Sequence, residues 1–356
     1  MKIIAVLAMS VFGVMILPAV SFLHVRNGEW TGSGIRQDAQ PKKASFANPA
    51  LELEIKHETG VTAIAFSPDN KILAVGADDY TVQLLEARTG QVERRLNEPD
   101  RGARAPGVYP DGQRVYSLAF SPDGKTLASA GDIIKNNLLA GGQVTLWEIP
   151  SGKLLRTIIV NKEITTYTNS IVFTPDGRGL VTGMTRYAPG ESAGRHVSKG
   201  EISEWDAETG ALERKWEPLD AGIHSVTFSP DGQFLVAGRS DYTINFWDIR
   251  TRELRRTLPG SSRLFSLRFS PDGKTLASCV GPDLPAIAGQ IEPLLKVHLL
   301  DADTGRRELM PVSHRGFVTA VAFSPDGRYL ASGDEGGYST SSHRREGGMV
   351  KIWRIK

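Results

Sequence analysis

Six near-copies of one short phrase run along this chain: an apolar stretch, a Ser-Pro-Asp-Gly turn, and a second apolar stretch. They are Ala65–Asn70, Ala119–Gly124, Val172–Gly177, Thr227–Gly232, Arg268–Gly273 and Ala322–Gly327. Proline pre-sets φ at the second turn position, and glycine accepts positive φ at the last. In the first copy Asn70 stands in the glycine slot. Asparagine tolerates left-handed backbone better than most residues, so the turn has a fixed conformational need. No copy can bury its own faces alone, so the copies must pack on one another.

The fourth copy has the shortest connections and shows the unit. Ile223 to Phe228 is a short apolar strand, and the turn Ser229–Gly232 leads into a second strand from Phe234 to Ala237. A third strand runs from Thr243 to Trp247, and a fourth, Leu254 to Leu258, is the most charged. Its counterparts Val92–Leu96 and Leu212–Trp216 are equally charged. Charge suits an outer edge strand that must not pair with another chain, while an apolar strand suits burial on both faces. Each copy therefore reads as a four-stranded antiparallel sheet graded from inside to outside. Arranged radially, six such sheets predict an all-β, six-bladed β-propeller over residues 51–356. The last copy ends on its third strand, at Ile352–Lys356. The segment Leu51–Lys56 has the composition of an orphan fourth strand, so it is expected to pair with the last blade and latch the ring.

Ahead of the ring, Ile3 to Leu23 is broken only by Ser10, Pro18 and Ser21. Residues 1–23 read either as a signal peptide cleaved near Ala19-Val20-Ser21 or as a transmembrane signal-anchor. As a helix the run is about 30 Å long, enough to span a bilayer. Residues 24–50 lack an apolar period and read as a flexible spacer. Either reading of the leader makes the propeller exported or membrane-anchored, outside the cytoplasm, with membrane contact through residues 3–23. Lys plus Arg number 42 against 40 Asp plus Glu. That balance provides no broad attraction for nucleic acid. Cys279 is the single cysteine, so no intrachain disulfide and no thiolate zinc cluster can form.

These residues resemble the WD-repeat (tryptophan-aspartate) β-propeller family. The matching third-strand ends are Trp147-Glu148, Trp205-Asp206, Trp247-Asp248 and Trp353-Arg354, with Leu85-Glu86 and Leu300-Asp301 as weaker versions. The family's Gly-His element is matched by His57 and His314, and its loop aspartate by Asp79 and Asp241. The resemblance implies that such groups form a buried hydrogen-bond set that stiffens a blade, and no copy here displays the full set. It also implies a docking platform rather than an enzyme. The family commonly has seven blades, whereas this chain has room for six.

The placement of extra residues is informative. Connections between first and second strands, and between third and fourth, stay tight. Five long insertions all fall in the other kind of connection: Asn97 to Arg114, Gly131 to Gln143, Gly183 to Glu201, Gly281 to Lys296 and Gly333 to Met349. In an up-down sheet these share one face of the ring. Loops on a rigid scaffold are where binding usually resides, so this crowned face is the expected site for another protein. Arg186, Tyr187, Arg195, His196, Tyr338, His343, Arg344 and Arg345 are its candidate contacts, because Arg and Tyr are enriched at binding hot spots.

No catalytic motif, cofactor cradle or metal cluster is found. The six turn aspartates recur because the turn needs them. Cys279 occupies a small-residue slot held elsewhere by Gly76, Ala130, Gly183, Ala237 and Gly333, which predicts an inert core thiol. The reading is thus a non-catalytic, monomeric interaction scaffold. The alternative is a propeller enzyme or small-ligand binder with a site at the channel mouth, as in lactonase-type propellers that share Ser-Pro-Asp-Gly turns.

Overall fold

The computed structural model describes residues 49–96, 112–136, 138–162, 165–189, 196–216, 219–260, 264–280, 297–310, 312–339, 344–345 and 347–355. The leader, residues 1–23, and nearly all of the spacer lie outside these, as do Arg195 and His343. Among the described residues no helix is long and apolar enough to cross a membrane.

The chain begins with β1 (Ala50–Lys56). Blade 1 follows as β2 (Val61–Phe66), β3 (Ile72–Ala77), β4 (Val82–Glu86) and β5 (Val92–Leu96). Blade 2 is β6 (Gly112–Phe120), β7 (Thr126–Lys135), β8 (Leu138–Glu148) and β9 (Leu154–Asn161). Blade 3 is β10 (Thr166–Phe173), β11 (Gly179–Pro189), β12 (His196–Asp206) and β13 (Leu212–Lys215). Blade 4 is β14 (Ile223–Phe228), β15 (Phe234–Arg239), β16 (Thr243–Asp248) and β17 (Leu254–Pro259). Blade 5 is β18 (Leu264–Phe269), β19 (Thr275–Val280), β20 (Val297–Asp301) and β21 (Arg307–Met310). Blade 6 has β22 (Val318–Phe323), β23 (Tyr329–Asp334) and, after the small hairpin β24 (Tyr338–Ser339) and β25 (Arg344–Arg345), β26 (Met349–Arg354). Its outer strand is β1, in the order β1-β26-β23-β22, with Leu51 opposite Trp353 and Lys56 opposite Met349. The ring is a six-bladed propeller latched by its first strand, as the sequence predicts.

The core is not one mass but six wedges, one between each pair of neighbouring blades. Between blades 2 and 3, for example, Val144, Ile158 and Val160 meet Ile171, Phe173 and Trp205. The closing wedge sets Leu53 and Ile55 of β1, with Val350 and Ile352, against Val61, Ile64 and Leu73 of blade 1. The latch strand therefore contributes apolar packing as well as ladder hydrogen bonds.

On one face, the six turns are built alike. Ser121 Oγ accepts from Thr126 N at 2.9 Å and donates to Asp123 Oδ1 at 2.6 Å, and Lys125 N donates to the same oxygen at 3.0 Å. Ser67, Thr174, Ser229, Ser270 and Ser324 repeat the arrangement with the aspartate two residues on. Gly124 has φ +73°, and Asn70 fills the same slot at φ +60°. The hydroxyl hydrogen bond holds the Asp69, Asp123, Asp176 and Asp231 carboxyls below the usual carboxylate range. These aspartates are turn parts.

Toward the axis, every inner strand carries a bulge at one equivalent position: Thr62, Tyr116, Asn169, His224, Phe265 and Thr319. A bulge re-aims its side chain. The residue after it is serine in four blades, and three of these serines stitch the ring. Ser117, Ser170 and Ser225 accept from Ile171 N, Val226 N and Leu267 N of the next blade at 3.0–3.1 Å.

Two sequence expectations need correction. The small-residue slot of Cys279 lies opposite Ser266, and its blade 4 counterpart opposite Ser225 is Gly238, not Ala237. Reading that copy one residue short came from ending its second strand at Ala237, whereas β15 continues to Arg239. Cys279 itself is free and fully buried, and burial pushes its thiol well above the usual range. The second correction concerns the insertions, and it shapes the site.

Candidate functional site

Two of the five insertions are not loops. The Gly131–Gln143 insertion continues β7 and β8 outward, with Ile134 opposite Leu139 and Lys135 opposite Leu138. The Gly183–Glu201 insertion continues β11 and β12 through Arg186 opposite Lys199 to Pro189 opposite His196. Antiparallel rungs satisfy the backbone as far as the strands run, so these are stiff ribs rather than solvated loops. Strand propensity alone does not reveal which residues of an insertion will pair. In the last blade the insertion carries the two-rung hairpin that sets Tyr338 opposite Arg345. The remaining two insertions lie mostly outside the described residues.

The blade 3 rib leans on blade 4. Ser198 Oγ and Ser240 Oγ are 2.8 Å apart, and Thr185 Oγ1 donates to Ile223 O at 3.0 Å. Asn169 Nδ2 donates to Ile223 O at 2.7 Å and to Thr185 Oγ1 at 2.8 Å. On this base Arg186 is exposed and Tyr187 half-buried, the Tyr187 ring meeting Tyr167 edge to face at 5.6 Å. Tyr187 N donates to Thr165 O at 2.9 Å. The blade 2 rib ends in an exposed Leu138, at 70%. His196, Tyr338, Arg344 and Arg345 lie on strands of the crown. The six candidates among the described residues are thus spread over two blades rather than gathered at one point.

Where the ribs meet the ring, a polar cluster lies across blades 1 to 3. Arg114 Nη1 donates to Tyr116 Oη at 3.2 Å, and its guanidinium lies 5.8 Å from the Tyr80 ring centre. Asp132, 1% exposed, accepts from Thr168 N at 3.0 Å and so ties blade 2 to blade 3. Its other oxygen makes no hydrogen bond. Burial pushes this carboxyl up to about 7, against the pull of Thr168 N, Arg114 and the nearby Tyr116 hydroxyl. Burial also raises the Tyr116 and Tyr167 hydroxyls. Sequence reasoning missed Tyr116 and Asp132. The signal for Asp132 was an acid inside an insertion, beside an arginine on the neighbouring strand. Among the described residues, no three His, Cys, Asp or Glu side chains gather to hold a metal ion.

Below the crown, blade 6 does hold a complete hydrogen-bond set, contrary to the sequence expectation. Trp353 Nε1 donates to Ser332 Oγ at 2.8 Å, the Ser332 hydroxyl lies 2.7 Å from His314 Nε2, and His314 Nδ1 lies 2.6 Å from Asp334 Oδ2. Indole can only donate, so the Ser332 hydrogen is left for His314 Nε2, and Nδ1–H donates to Asp334. The acid is Asp334, at the end of β23, and not an aspartate at the loop position that Asp79 and Asp241 occupy. Asp79 and Asp241 cap their own turns, each accepting from the threonine two residues on, at 2.6 Å from Thr81 Oγ1 and from Thr243 Oγ1. Asp334 also accepts from Gly336 N at 2.8 Å and Met349 N at 3.1 Å, which clamps both ends of its insertion.

Other blades anchor the crown differently. In blade 2, Gln113 replaces the histidine. Its Nε2 donates to Gln143 O at 2.7 Å, and its Oε1 accepts from Thr145 Oγ1 at 2.8 Å and Ser129 Oγ at 3.3 Å. Trp147 Nε1 in turn donates to Ser129 Oγ at 3.2 Å. In blade 4 the charges are exchanged: Arg239 stands where Asp334 stands in blade 6, and it pairs with Asp220 of the preceding connection. Trp205 Nε1 finds Thr182 Oγ1 at 3.0 Å, whereas Trp247 has Ala237 in that position and packs edge to face on Trp216. His57 is buried without a ring partner, since Ala77, Val75 and Leu85 replace the acid, the hydroxyl and the indole. Burial accordingly lowers its pKa.

A family model described as "WD domain, G-beta repeat" matches residues 51–85, 108–147, 216–248, 252–283 and 307–354, together more than half of the chain. The chain is a WD-repeat protein. The matched repeats skip all four strands of blade 3, although that blade keeps its Trp205–Thr182 bond. Among WD-repeat relatives, periodic tryptophan protein 2 of Arabidopsis thaliana is 26% identical over 285 residues, covering 77% of this chain and 28% of that protein. Nuclear distribution protein PAC1 of Arthroderma otae is 24% identical over 320 residues, 86% of this chain and 64% of its own length. An uncharacterized WD repeat-containing protein of Synechocystis is 28% identical over 204 residues, 47% of this chain and 55% of its own. The chain thus spans less than two thirds of the length of these relatives.

Proposed function

We propose that this WD-repeat protein is a non-catalytic scaffold that binds another protein through the crowned face. The observation that carries the reading is the pair of hydrogen-bonded ribs. They present Leu138, Arg186 and Tyr187 on paired backbone, so little conformational entropy is lost when a partner docks. Arginine and tyrosine suit such a contact, and an exposed leucine at a rib tip adds apolar area. Membership of the WD-repeat family supports a protein partner rather than a small substrate. The apolar run over residues 3–23 supports an exported or membrane-anchored ring that acts as a monomer outside the cytoplasm. The balanced charge argues against nucleic acid as the partner.

The test compares the full chain with a variant in which both ribs are cut back to the ring, residues 132–142 and 185–199 each being replaced by a two-residue turn. Crosslinking is carried out on membrane and secreted fractions, and thermal unfolding shows that both proteins are folded. Loss of a specific crosslinked protein from the trimmed ring is the expected outcome. Equal recovery with both proteins removes the crowned face from consideration. Fractionation of the full chain tests its location, and a soluble cytoplasmic pool with residues 1–23 intact overturns the export reading.

A further inference from the structure

The channel along the axis of the ring carries one charge that no carboxylate among the described residues neutralises. Arg268 sits on β18 three residues after the bulge, where the other blades place Ala65, Ala119, Val172, Thr227 and Ala322. Its Nη1 donates to its neighbour Leu267 O at 2.8 Å and to Ser225 Oγ of blade 4 at 3.3 Å. No carboxylate of the described residues pairs with it. Arg268 is half-buried, and a cation drawn out of water without a counter-charge is disfavoured, so such groups are normally paired. Burial lowers its pKa to about 10, which leaves it protonated at neutral pH.

The surroundings offer further donors. The cavity beside Arg268 is bounded by the inner strands of all six blades and includes Thr62, Ser225, Ser266 and Thr319. Ser225 Oγ already accepts from Leu267 N and from the arginine, so its own hydrogen remains to be donated. Thr62 Oγ1 is buried with no hydrogen-bond partner. Thr319 is committed elsewhere, donating to Val61 O at 2.5 Å. A guanidinium and spare hydroxyl hydrogens thus face one small space. Hydroxyls accept either sign of ligand, and the arginine decides it. The cavity measures about 10 Å³, close to the space that one water-sized particle needs. A space of that size suits a small ion better than a tetrahedral oxyanion.

We propose that the axial cavity binds a monatomic anion, a chloride ion, held by the Arg268 guanidinium and by the Ser225 and Thr62 hydroxyls. The ion supplies the counter-charge that the described residues lack, next to Ser225, the serine that joins blades 4 and 5. It acts on the ring itself and is independent of what the crown binds.

The experiment uses the full chain and Arg268→Met, which keeps volume while removing the charge. Thermal unfolding is followed at constant ionic strength as sodium gluconate is replaced by sodium chloride or sodium bromide. The wild-type Tm is expected to rise by a few degrees and saturate, while the variant stays flat. The variant is expected to be the more stable protein in gluconate, since it has no unpaired charge to bury. Parallel responses of the two proteins overturn the proposal. An equal gain for wild type over the variant with inorganic phosphate overturns the monatomic assignment. Should the variant not fold, wild-type crystals grown in bromide decide the matter. Anomalous density within hydrogen-bonding reach of the guanidinium supports the site, and its absence from the channel refutes it.

Discussion

The two faces of the ring solve the same problem in opposite ways. On the plain face, six turns repeat one arrangement of hydroxyl, aspartate and glycine down to the hydrogen-bond lengths. On the crowned face no two described anchors match: His314 with Asp334 in blade 6, Gln113 in blade 2, and Asp220 with Arg239 in blade 4. A turn that must reverse the chain in four residues has few geometric solutions, so its sequence repeats. An anchor need only satisfy buried polar groups between a connection and a strand end, and several chemistries do that. Uniformity thus marks the face under backbone constraint, and variety marks the face free to diverge toward a partner.

The sharpest way to break this contrast is to remove the shared hydroxyl in the blade 6 anchor. Ser332→Ala strands Trp353 Nε1 and His314 Nε2 together. With about 1–3 kcal/mol for each orphaned buried group, chemical denaturation is expected to show a loss of about 2–5 kcal/mol. A loss below about 1 kcal/mol would show that the anchor is dispensable.

Next in size is Asp132→Asn, and its sign is opposite. A carboxyl raised to about 7 penalises the folded state while it is ionised. The penalty is full above that pH, shrinks as pH falls, and is gone below the ordinary carboxylate range. The amide keeps an acceptor for Thr168 N. The variant is therefore expected to be more stable than wild type at pH 8, by about 2–4 kcal/mol, and to converge with it near pH 4. Equal stability at both pH values would refute the burial of a charged carboxyl.

On the plain face, Ser121→Ala leaves Thr126 N without its side-chain acceptor and frees Asp123. A loss of about 1–2 kcal/mol is expected in the same unfolding assay. It should carry a pH signature opposite to that of Asp132. Turn carboxyls held below the usual range stabilise the fold at neutral pH and lose that contribution as pH falls through their lowered values. Wild type and Ser121→Ala should therefore converge on acidification. Smallest of all, Arg186→Ala should change stability by no more than about 0.5 kcal/mol, because the residue is exposed on an already paired rib. A larger loss would make Arg186 part of the scaffold rather than of the binding surface.

The same contrast explains what could be read in advance. The ring, its blade number and its latch were legible because Ser-Pro-Asp-Gly recurs with one chemistry, and because Leu51–Lys56 has the pattern of an outer strand left over. The ribs were not legible as strands. Pairing of Arg186 with Lys199 joins residues whose propensities say nothing of each other. The blade 6 anchor escaped for a related reason: Asp334 sits at a strand end, one register position beyond the slot of Gly333, and only the fold brings it to His314. Asp79 and Asp241 looked alike in sequence because both precede a threonine strand start, and their role there is local. Ala237 was aligned one residue out of place because a run of small apolar residues has no internal landmark.

The strand that completes blade 6 is synthesised near the start of the described chain, and the strand it must join is made near its end. Blades 1 to 5 can each assemble from neighbouring sequence as they emerge, but the sixth cannot. Until Met349–Arg354 is available, Ala50–Lys56 has no sheet to join, and the sixth wedge between blades stays open. Wherever the blades assemble in chain order, an arc of five sheets with two uncovered blade faces therefore precedes the closed ring.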